Sequence, residues 1–239
     1  MSETFERTEQ KYLIEADKYI MLRKLLSEHA QVDKYGKSTI CNIYYDTPDH
    51  RLVRLSNEKP FYKEKFRVRS YGTQNESSPV FVELKKKFDG VVYKRRVEMT
   101  LAQAQRFTQY GEMPMNDVQI EKELAYCFRL YDRLQPMLFL SYDRIAMNGI
   151  EDESVRITFD SNVTYRDTVL DLSRGAWGKK LLEHGERIME VKRAGAMPMW
   201  LVRILDELKI YPTSFSKYGA AYKKEFETGN IRKEGVDCA

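Results

Sequence analysis

The chain has 239 residues, of which 42% are apolar and 32% are charged, so it is long and apolar enough to build a substantial core. Its formal net charge of +4 is too small to argue for a nucleic-acid partner by itself. No run of about 18 apolar residues predicts a membrane-spanning helix, and the polar N-terminus does not resemble a signal peptide. The cysteines Cys41, Cys127 and Cys238 have spacings that predict neither disulfides nor zinc, so we expect reduced thiols in a cytoplasmic protein.

The pattern of apolar and charged residues in the N-terminal quarter of the chain predicts strands and helices in alternation. Phe5–Ile14 alternates charged and apolar residues as a strand does, and apolar residues at helical spacing follow Asp17 as far as His29. Next come a short predicted strand, a turn and a helical turn, over Thr39–Tyr45, Asp46–Asp49 and His50–Ser56.

Three consecutive strands are predicted within Phe61–Arg96. A polar loop at Thr73–Ser78 joins the first two, and the hairpin turn Asp89-Gly90 joins the last two. Because alternate side chains of a strand share a face, basic residues collect on one face of each strand and apolar residues on the other. The shared charged faces carry Arg67 and Arg69; Glu83, Lys85 and Lys87; and Lys94, Arg96 and Glu98.

The second half of the chain predicts more helices and another hairpin. Asn148-Gly149 turns the chain between two strands, the second of which carries Arg156, Thr158 and Asp160 on one face. The segment GAWGKK, Gly175–Lys180, has the wrong glycine spacing for a phosphate-binding loop, and we expect a loop that enters a helix. The predicted helices are Leu101–Tyr110, Asn116–Tyr131, Met199–Leu208 and Phe215–Phe226, the last begun by Ser214 or Ser216, and the predicted strands are Pro136–Met147, Ser154–Asp160 and Arg187–Arg193.

These elements predict an α+β fold, an antiparallel β tunnel barrel of about eight strands with peripheral helices. No internal repeat or linker divides the chain, so we expect a single domain over residues 1–239 with a frayed tail after about Gly229.

The charged strand faces have two interpretations. An ordinary half-buried sheet would expose them to water, whereas a sheet that curls round a lumen would turn them inward and pack its apolar residues outward against helices. The recurrence of basic residues on most strands favours the lumen. Cations in one tunnel repel one another by roughly 4 kcal/mol per pair at about 4 Å and an effective dielectric near 20, so the natural guest is a polyanion such as a phosphate chain.

Other chemistries find less support in the sequence. The histidines His29, His50 and His184 form no metal-binding or triad pattern. Nucleic acid would call for exposed aromatic residues among basic ones, and the aromatic residues here fall mainly at apparent core positions, so we expect no nucleic-acid partner.

Eight short motifs occur in a fixed order along the chain. They are R-x-E-x-K-Y (Arg7–Tyr12), F-R-V-R-S-Y-G (Phe66–Gly72), F-V-E-L-K (Phe81–Lys85), Y-K-R-R (Tyr93–Arg96), Y-D-R (Tyr142–Arg144), V-R-I-T-F-D (Val155–Asp160), M-E-V-K (Met189–Lys192) and S-F-S-K-Y (Ser214–Tyr218). Together they resemble the catalytic domain of the vacuolar transporter chaperone (VTC) complex, a polyphosphate polymerase among the CYTH-like triphosphate tunnel metalloenzymes. The resemblance spans nearly the whole chain.

This resemblance implies an enzyme that moves the γ-phosphate of ATP onto a polyphosphate chain and releases ADP. It implies a divalent metal, Mn²⁺ or Mg²⁺, at Glu190, with Glu9, Glu83 and Glu98 as candidate helpers. It implies a monomer that binds ATP and polyphosphate or triphosphate. A membrane partner protein is compatible with this prediction. The resemblance assigns phosphate-binding catalytic roles to Lys11, Arg67, Arg69, Lys85, Lys94, Arg144 and Arg156, and substrate contacts to Ser216 and Lys217; Lys192, which shares a strand face with Glu190, joins the substrate contacts.

Arg7 departs from the wider superfamily, whose hydrolase and cyclase branches resemble E-x-E-x-K on the first strand. The missing carboxylate tilts the prediction from hydrolysis toward transfer. Two alternatives remain: a triphosphatase acting on tripolyphosphate or nucleoside triphosphates, and a non-catalytic polyphosphate-binding module.

Overall fold

The computed structural model describes residues 7–58, 60–89, 91–114, 119–131 and 134–227. Within that part the chain forms six α-helices and nine strands, with a short 3-10 turn at Leu172–Arg174 and a π-helical turn at Lys223–Glu227. The strands are β1 (Arg7–Ile14), β2 (Ala30–Asp46), β3 (Tyr62–Tyr71), β4 (Pro79–Phe88), β5 (Val91–Thr100), β6 (Gln135–Gly149), β7 (Arg156–Arg166), β8 (Lys179–Lys180) and β9 (Arg187–Ala194). The helices are α1 (Ala16–Leu26), α2 (Arg51–Asn57), α3 (Leu101–Tyr110), α4 (Gln119–Leu130), α5 (Met199–Glu207) and α6 (Lys217–Tyr222).

All nine strands belong to one antiparallel sheet. Its order is β1-β9-β7-β6-β2-β3-β4-β5, with β8 added beside β7. The end strands β1 and β5 are not hydrogen-bonded to each other in the described residues, but the sheet curls until its two sides approach: Nζ of Lys85 on β4 lies 3.9 Å from a carboxylate oxygen of Glu9 on β1. The predicted α+β antiparallel tunnel is therefore confirmed, with nine strands that form a tunnel-like trough.

The convex face of the sheet carries the apolar residues and is covered by helices. On the β1–β9–β7 side, Tyr12, Met189 and Phe159 pack with Leu22 of α1 and Leu201 of α5. On the other side, helices α3 and α4 cover the apolar face of β3 and β4, where Phe66, Val82 and Leu84 meet Phe107 and Leu124. Burial of these side chains on the outside leaves the alternate side chains pointing inward.

The concave face carries the charged residues, as the lumen interpretation predicted. A third apolar cluster includes Tyr44, on the same face of β2 as Asn42, and Tyr218 of α6, whose rings stack with centroids 4.6 Å apart. Helix α6 therefore lies on the concave side and brings Lys217 to the charged residues, while Ser216 caps its first turn by accepting a hydrogen bond from the N–H of Gly219 at 3.1 Å.

Several predicted elements differ from those observed. The strand predicted over Thr39–Tyr45 is much longer, because β2 starts at Ala30 and pairs with β6 on both sides of a break in register between Val32 and Lys37. Helix α1 ends at Leu26 instead of His29. The last α-helix starts at Lys217, and its continuation to Glu227 is π-helical.

The expectation that GAWGKK enters a helix was wrong. Gly178 passes so close to the backbone of Tyr165 that a Cβ there would lie 2.2 Å from the carbonyl oxygen, and Lys179 and Lys180 then pair with β7 as β8. Gly90, the start of the fourth helix at 116–118, Cys238 and the tail after Gly229 lie outside the described residues.

Among the described helices none is long and apolar enough to cross a membrane. Cys41 and Cys127 are free thiols buried in the core, in agreement with the prediction of reduced cysteines.

Candidate functional site: a cationic tunnel

Fourteen charged side chains of the concave face, which we call the tunnel cluster, comprise one ion-pair network around Glu83, a second around Glu9, Asp160 and Glu190, and one further lysine. Each is joined to another member by an ion pair, except Lys65, which bonds to Ser216 at the start of α6. Ten cations face only four carboxylates, so the cluster is strongly positive although the chain as a whole is nearly balanced. Its members are Lys11, Lys65, Arg67, Arg69, Lys85, Lys94, Arg96, Arg144, Lys192 and Lys217, with Glu9, Glu83, Asp160 and Glu190.

Glu83 organises the β3–β4–β5 wall. Its carboxylate is 2% exposed; Oε2 accepts from Nε and NH2 of Arg67, both at 2.7 Å, and Oε1 accepts from Lys94 at 2.8 Å and from NH2 of Arg96 at 2.5 Å. Nε of Arg69 adds a looser contact at 3.9 Å. Both oxygens are thus fully engaged by basic groups. Burial raises the pKa of the Glu83 carboxyl, but Arg67, Arg69 and Lys94 outweigh it and hold the pKa well below its usual range.

The pairing register of β4 with β3 and β5 explains why the basic residues of this wall meet at Glu83. Glu83 lies directly across from Arg67 of β3 and from Arg96 of β5. Lys94 therefore belongs to the tunnel face, whereas Arg95 points to the convex side and bonds Glu123 of α4 at 2.7 Å. A slip of one residue would exchange the two.

Asp160 and Glu190 organise the opposite wall. Asp160 is fully buried; Arg144 donates two hydrogen bonds to it, at 2.6 and 2.7 Å, and Nζ of Lys217 lies 2.5 Å away. Glu190 is held more loosely by Lys217, Lys11 and Arg144, at 3.5, 3.7 and 3.8 Å. Burial raises the pKa of Glu190, but these cations outweigh it and keep the pKa well below its ordinary value.

Burial and ion pairing also have opposite effects on the pKa of Lys217. Burial lowers the pKa of the Lys217 amine, but Asp160 and Glu190 raise it above its ordinary value. Its ammonium group also lies over the ring of Tyr142, 4.8 Å from the centroid.

Glu9 links the two walls. Its carboxylate lies 3.3 Å from Lys11 on its own strand, 3.7 Å from Lys192 on β9 and 3.9 Å from Lys85 on β4. The predicted residues Lys11, Lys85 and Lys192 therefore converge on one half-buried carboxylate.

Arg156 is the predicted site residue that the structure places apart from this set. It lies across from Lys192 on the tunnel face, but its exposed guanidinium donates to Asp33 at 2.9 Å and to Asn148 at 3.3 Å. Arg156 therefore stands at the rim of the trough. Arg7 cannot be placed in the same way, because its side chain lies outside the described part.

Several contributing side chains escaped the sequence-based list of site residues. Tyr44 accepts from NH1 of Arg67 at 3.1 Å, and Tyr142 and Asn42 hold Arg69 at 3.1 and 2.9 Å. Arg96 and Lys65 are also new. Strand alternation could have found both basic residues, since Lys65 lies two residues before Arg67; nothing in the sequence distinguishes these polar groups of β2 and β6 from core residues.

The donors near Glu190 suit a hard divalent cation. Glu190 makes only loose contacts, and Oγ1 of Thr158, on the strand residue directly opposite, is buried with no hydrogen-bond partner among the residues that the structure describes. Glu83 is a poor candidate because its oxygens are occupied. No group of three acidic, histidine or cysteine ligands occurs in the described residues, so Mg²⁺ or Mn²⁺ here would need phosphate and water oxygens, as Mg²⁺ sites commonly use.

The comparisons with known proteins agree with this architecture. No curated protein sequence matches the chain. Two solved structures share its fold at 14% identity, each with a TM-score of 0.53. One, from Bacillus halodurans and provisionally named an adenylate cyclase, is matched over 87% of this chain and 92% of its own. The other, from Hippeastrum, is provisionally named an adenylyl cyclase and described as having a dominant triphosphatase activity; the match covers 94% of this chain and 96% of that one.

The family model of the VTC domain matches residues 6–226, nearly the whole chain. That match spans all eight ordered motifs and every member of the tunnel cluster. The chain therefore belongs to the VTC domain family, and its fold is that of the CYTH-like triphosphate tunnel proteins.

Proposed function

We propose that the chain is a metal-dependent polyphosphate polymerase that transfers the γ-phosphoryl group of ATP to the end of a polyphosphate chain. The observation that carries the proposal is the tunnel cluster itself, in which ten cations surround four carboxylates in a chain of the VTC family. Such an excess of basic groups is stable only when anions join it, and a linear phosphate chain matches an elongated trough.

The residues have complementary roles in this proposal. Arg67, Arg69 and Lys85 cradle the phosphate chain from one wall, and Lys11, Arg144 and Lys217 do so from the other. An oxygen of the acceptor's terminal phosphate attacks the γ-phosphorus, the bond to the β–γ bridging oxygen breaks, and ADP leaves with that electron pair. The acceptor oxygen is already ionised, so no side-chain base is required; positioning and charge stabilisation supply the catalysis.

Glu190, with Thr158 beside it, would hold the divalent metal. When bound, the metal supplies a Lewis acid that neutralises charge on phosphate oxygens. Lys94 and Arg156 would contact the chain farther from the reacting phosphate, with Ser216 and Lys192 as further substrate contacts.

Hydrolysis of a triphosphate is the second candidate. The triphosphatase activity described for the Hippeastrum structure supports it, since the same trough could position a water molecule. The arginine at position 7, where hydrolases and cyclases of the superfamily carry a carboxylate, argues against it.

Product analysis separates these functions. The protein is incubated with ATP and Mn²⁺, and products are resolved by phosphorus NMR and gel electrophoresis. We expect ADP and a ladder of phosphoanhydrides. ADP with orthophosphate alone would instead establish a triphosphatase, and tight tripolyphosphate binding without turnover would leave a binding module.

The variant Glu190→Gln tests the role of the metal site. We expect turnover to fall by about a hundredfold or more, while tripolyphosphate binding persists, because the change removes a carboxylate from a cationic wall. Glu153→Gln, at an exposed carboxylate between β6 and β7, is the matched control. Unchanged turnover in the Glu190 variant would remove this residue from the mechanism.

A further inference from the structure

Lys65 differs from the other cations of the tunnel cluster in having no acidic partner within the part of the chain that the structure describes. Each of the other nine has a carboxylate oxygen within 4.0 Å, but no described carboxylate lies that close to Lys65. Its Nζ instead donates to Oγ of Ser216 at 2.8 Å. That oxygen also accepts from the N–H of Gly219, so the hydroxyl proton of Ser216 remains free to donate.

The charged groups that act most strongly on Lys65 are four cations. Lys11 faces it from β1, Lys63 and Arg67 from its own strand, and Lys85 from the paired position on β4. The carboxylate of Glu9, which contacts Lys11 and Lys85, is shared by these two lysines and Lys192. Nothing negative among these groups is left to compensate a charge on Lys65.

Burial and like charges both act against the ammonium form. Lys65 is half-buried. Burial is the largest cause and Lys11, Lys63 and Lys85 follow; together they lower the pKa of the Lys65 amine to about 7. Lys217, which is more deeply buried, has the opposite shift because two carboxylates contact it. The missing carboxylate, more than depth, therefore distinguishes Lys65.

We infer that Lys65 and the Ser216 hydroxyl form a proton-linked phosphate subsite, in which Lys65 of the empty tunnel is mostly uncharged at slightly alkaline pH and becomes an ammonium when a phosphoryl group enters. This inference rests on the proposed substrate class, a linear phosphate chain. The phosphate supplies the negative charge that no neighbouring carboxylate provides, and the lone pair of the neutral amine takes a proton from the buffer. The device limits repulsion in the empty tunnel and provides one more cation when the ligand is present.

The inference predicts that ligand affinity depends on pH. Each unit by which the ligand raises the pKa of Lys65 corresponds to about a tenfold change in affinity at pH values above both pKa values. A bound anion stabilises the protonated form of Lys65 and therefore raises its pKa. Affinity for the anion is highest below the pKa of the free protein, and it falls as the pH rises from there toward the pKa of the complex. From pH 6 to pH 8.5 we expect the affinity of the natural protein to fall about tenfold more than that of Lys65→Arg, which keeps its charge throughout.

The experiment is calorimetric titration of the full chain with tripolyphosphate, without metal, in two buffers of different ionisation enthalpy at pH 7.5. The difference in measured heat gives the number of protons taken up, and tripolyphosphate's own protonation is common to all variants. Lys65→Arg is the test variant. Lys86→Arg, at a lysine that contacts Glu64, is the control. NMR of the lysine side chains in the free protein gives the Lys65 midpoint directly, its signal identified by its absence from Lys65→Arg.

We expect about half a proton or more to be taken up by the natural protein and by Lys86→Arg in excess of Lys65→Arg. The NMR midpoint should lie near 7 in the free protein and rise when tripolyphosphate is added. Equal proton uptake in all three proteins, or an NMR midpoint above about 9 in the free protein, would overturn the inference while leaving the proposed function intact. Absence of tripolyphosphate binding to the natural protein would overturn both.

Discussion

The substitution Glu83→Gln removes the charge around which one wall of the tunnel is built. The amide keeps the shape of the side chain but accepts with one oxygen only, and it leaves Arg67, Arg69, Lys94 and Arg96 without a shared counter-charge. We expect two opposite results: the empty protein becomes less stable, and the tunnel binds tripolyphosphate more tightly.

The geometry gives the size of both effects. Removing one partner from a buried ion pair costs about 3–5 kcal/mol. Lys94 and Arg96 can still turn toward water, since their side chains are 45% and 33% exposed, so the lower end applies. A loss of about 3 kcal/mol lowers Tm by roughly 6–12 °C in a chain of this length. For binding, one additional unit of positive charge at about 8 Å and a dielectric of about 20 contributes about 2 kcal/mol, or roughly thirtyfold in Kd.

Thermal unfolding and calorimetry at low ionic strength measure the two effects in the same samples. Glu98→Gln is the matched control, because it removes an exposed carboxylate from the tunnel-facing side of β5. The binding gain should shrink at high salt as the charges are screened. A Glu83→Gln protein that is as stable as the natural one, with unchanged tripolyphosphate affinity, would refute the view that Glu83 neutralises this wall.

Three further predictions concern the register, the acid response and a close backbone contact. Lys94→Met should weaken tripolyphosphate binding about tenfold while Arg95→Met leaves it nearly unchanged, because only Lys94 faces the tunnel; equal effects in calorimetry would mean that the register is wrong. Burial raises the pKa values of Glu83, Asp160 and Glu190, but neighbouring cations outweigh burial and lower all three. The stabilisation that these carboxylates provide is therefore complete above about pH 4.5 and is lost as the pH falls through their folded-state pKa values. Urea unfolding between pH 5 and pH 2 should show this loss of stability, with a shallower slope in Glu83→Gln. Gly178→Ala should cost at least about 2 kcal/mol more than Gly72→Ala, because a Cβ at Gly178 would lie 2.2 Å from the Tyr165 carbonyl oxygen and one at Gly72 meets nothing within 4 Å; similar losses in urea unfolding would contradict the contact.

The tunnel could be predicted from the sequence because the signal is local. Alternation within Phe66–Arg69 and Val80–Lys85 fixes which side chains share a face, and the need to bury the apolar set then turns the charged set inward. The hairpin turns fix the pairing of β4 with β5. The sequence offered Ser214 or Ser216 as the start of the last helix, and the structure selects Ser216; the π-helical continuation of α6 was not foreseen.

What escaped prediction depends on distances between residues far apart in the chain. The N-terminal half of β2 is polar and exposed, so only its pairing with β6 makes it a strand. Nothing local distinguishes Glu83, whose oxygens are fully occupied, from Glu190, which is loosely held. The unusual state of Lys65 depends on its burial in the folded chain and on Lys11 and Lys85, which come from other strands.

The contrast between Glu83 and Glu190 implies that the two walls of the tunnel have different roles. A divalent cation at Glu83 would have to displace basic groups at 2.5–2.8 Å, whereas Glu190 holds its three cations only at 3.5–3.8 Å. Opposite Glu190 lies the hydroxyl of Thr158, which has no hydrogen-bond partner in the described part of the chain. The β3–β5 wall can therefore offer a phosphate chain only hydrogen-bond donors, and the β7–β9 wall can offer donors together with a place for a metal. In the proposed polymerase, the metal and the phosphoryl group that moves would lie toward β9, and the unreactive length of the chain would lie against β3–β5. Substitutions at Arg67 or Lys94 should then act mainly on binding, and substitution of Glu190 mainly on turnover.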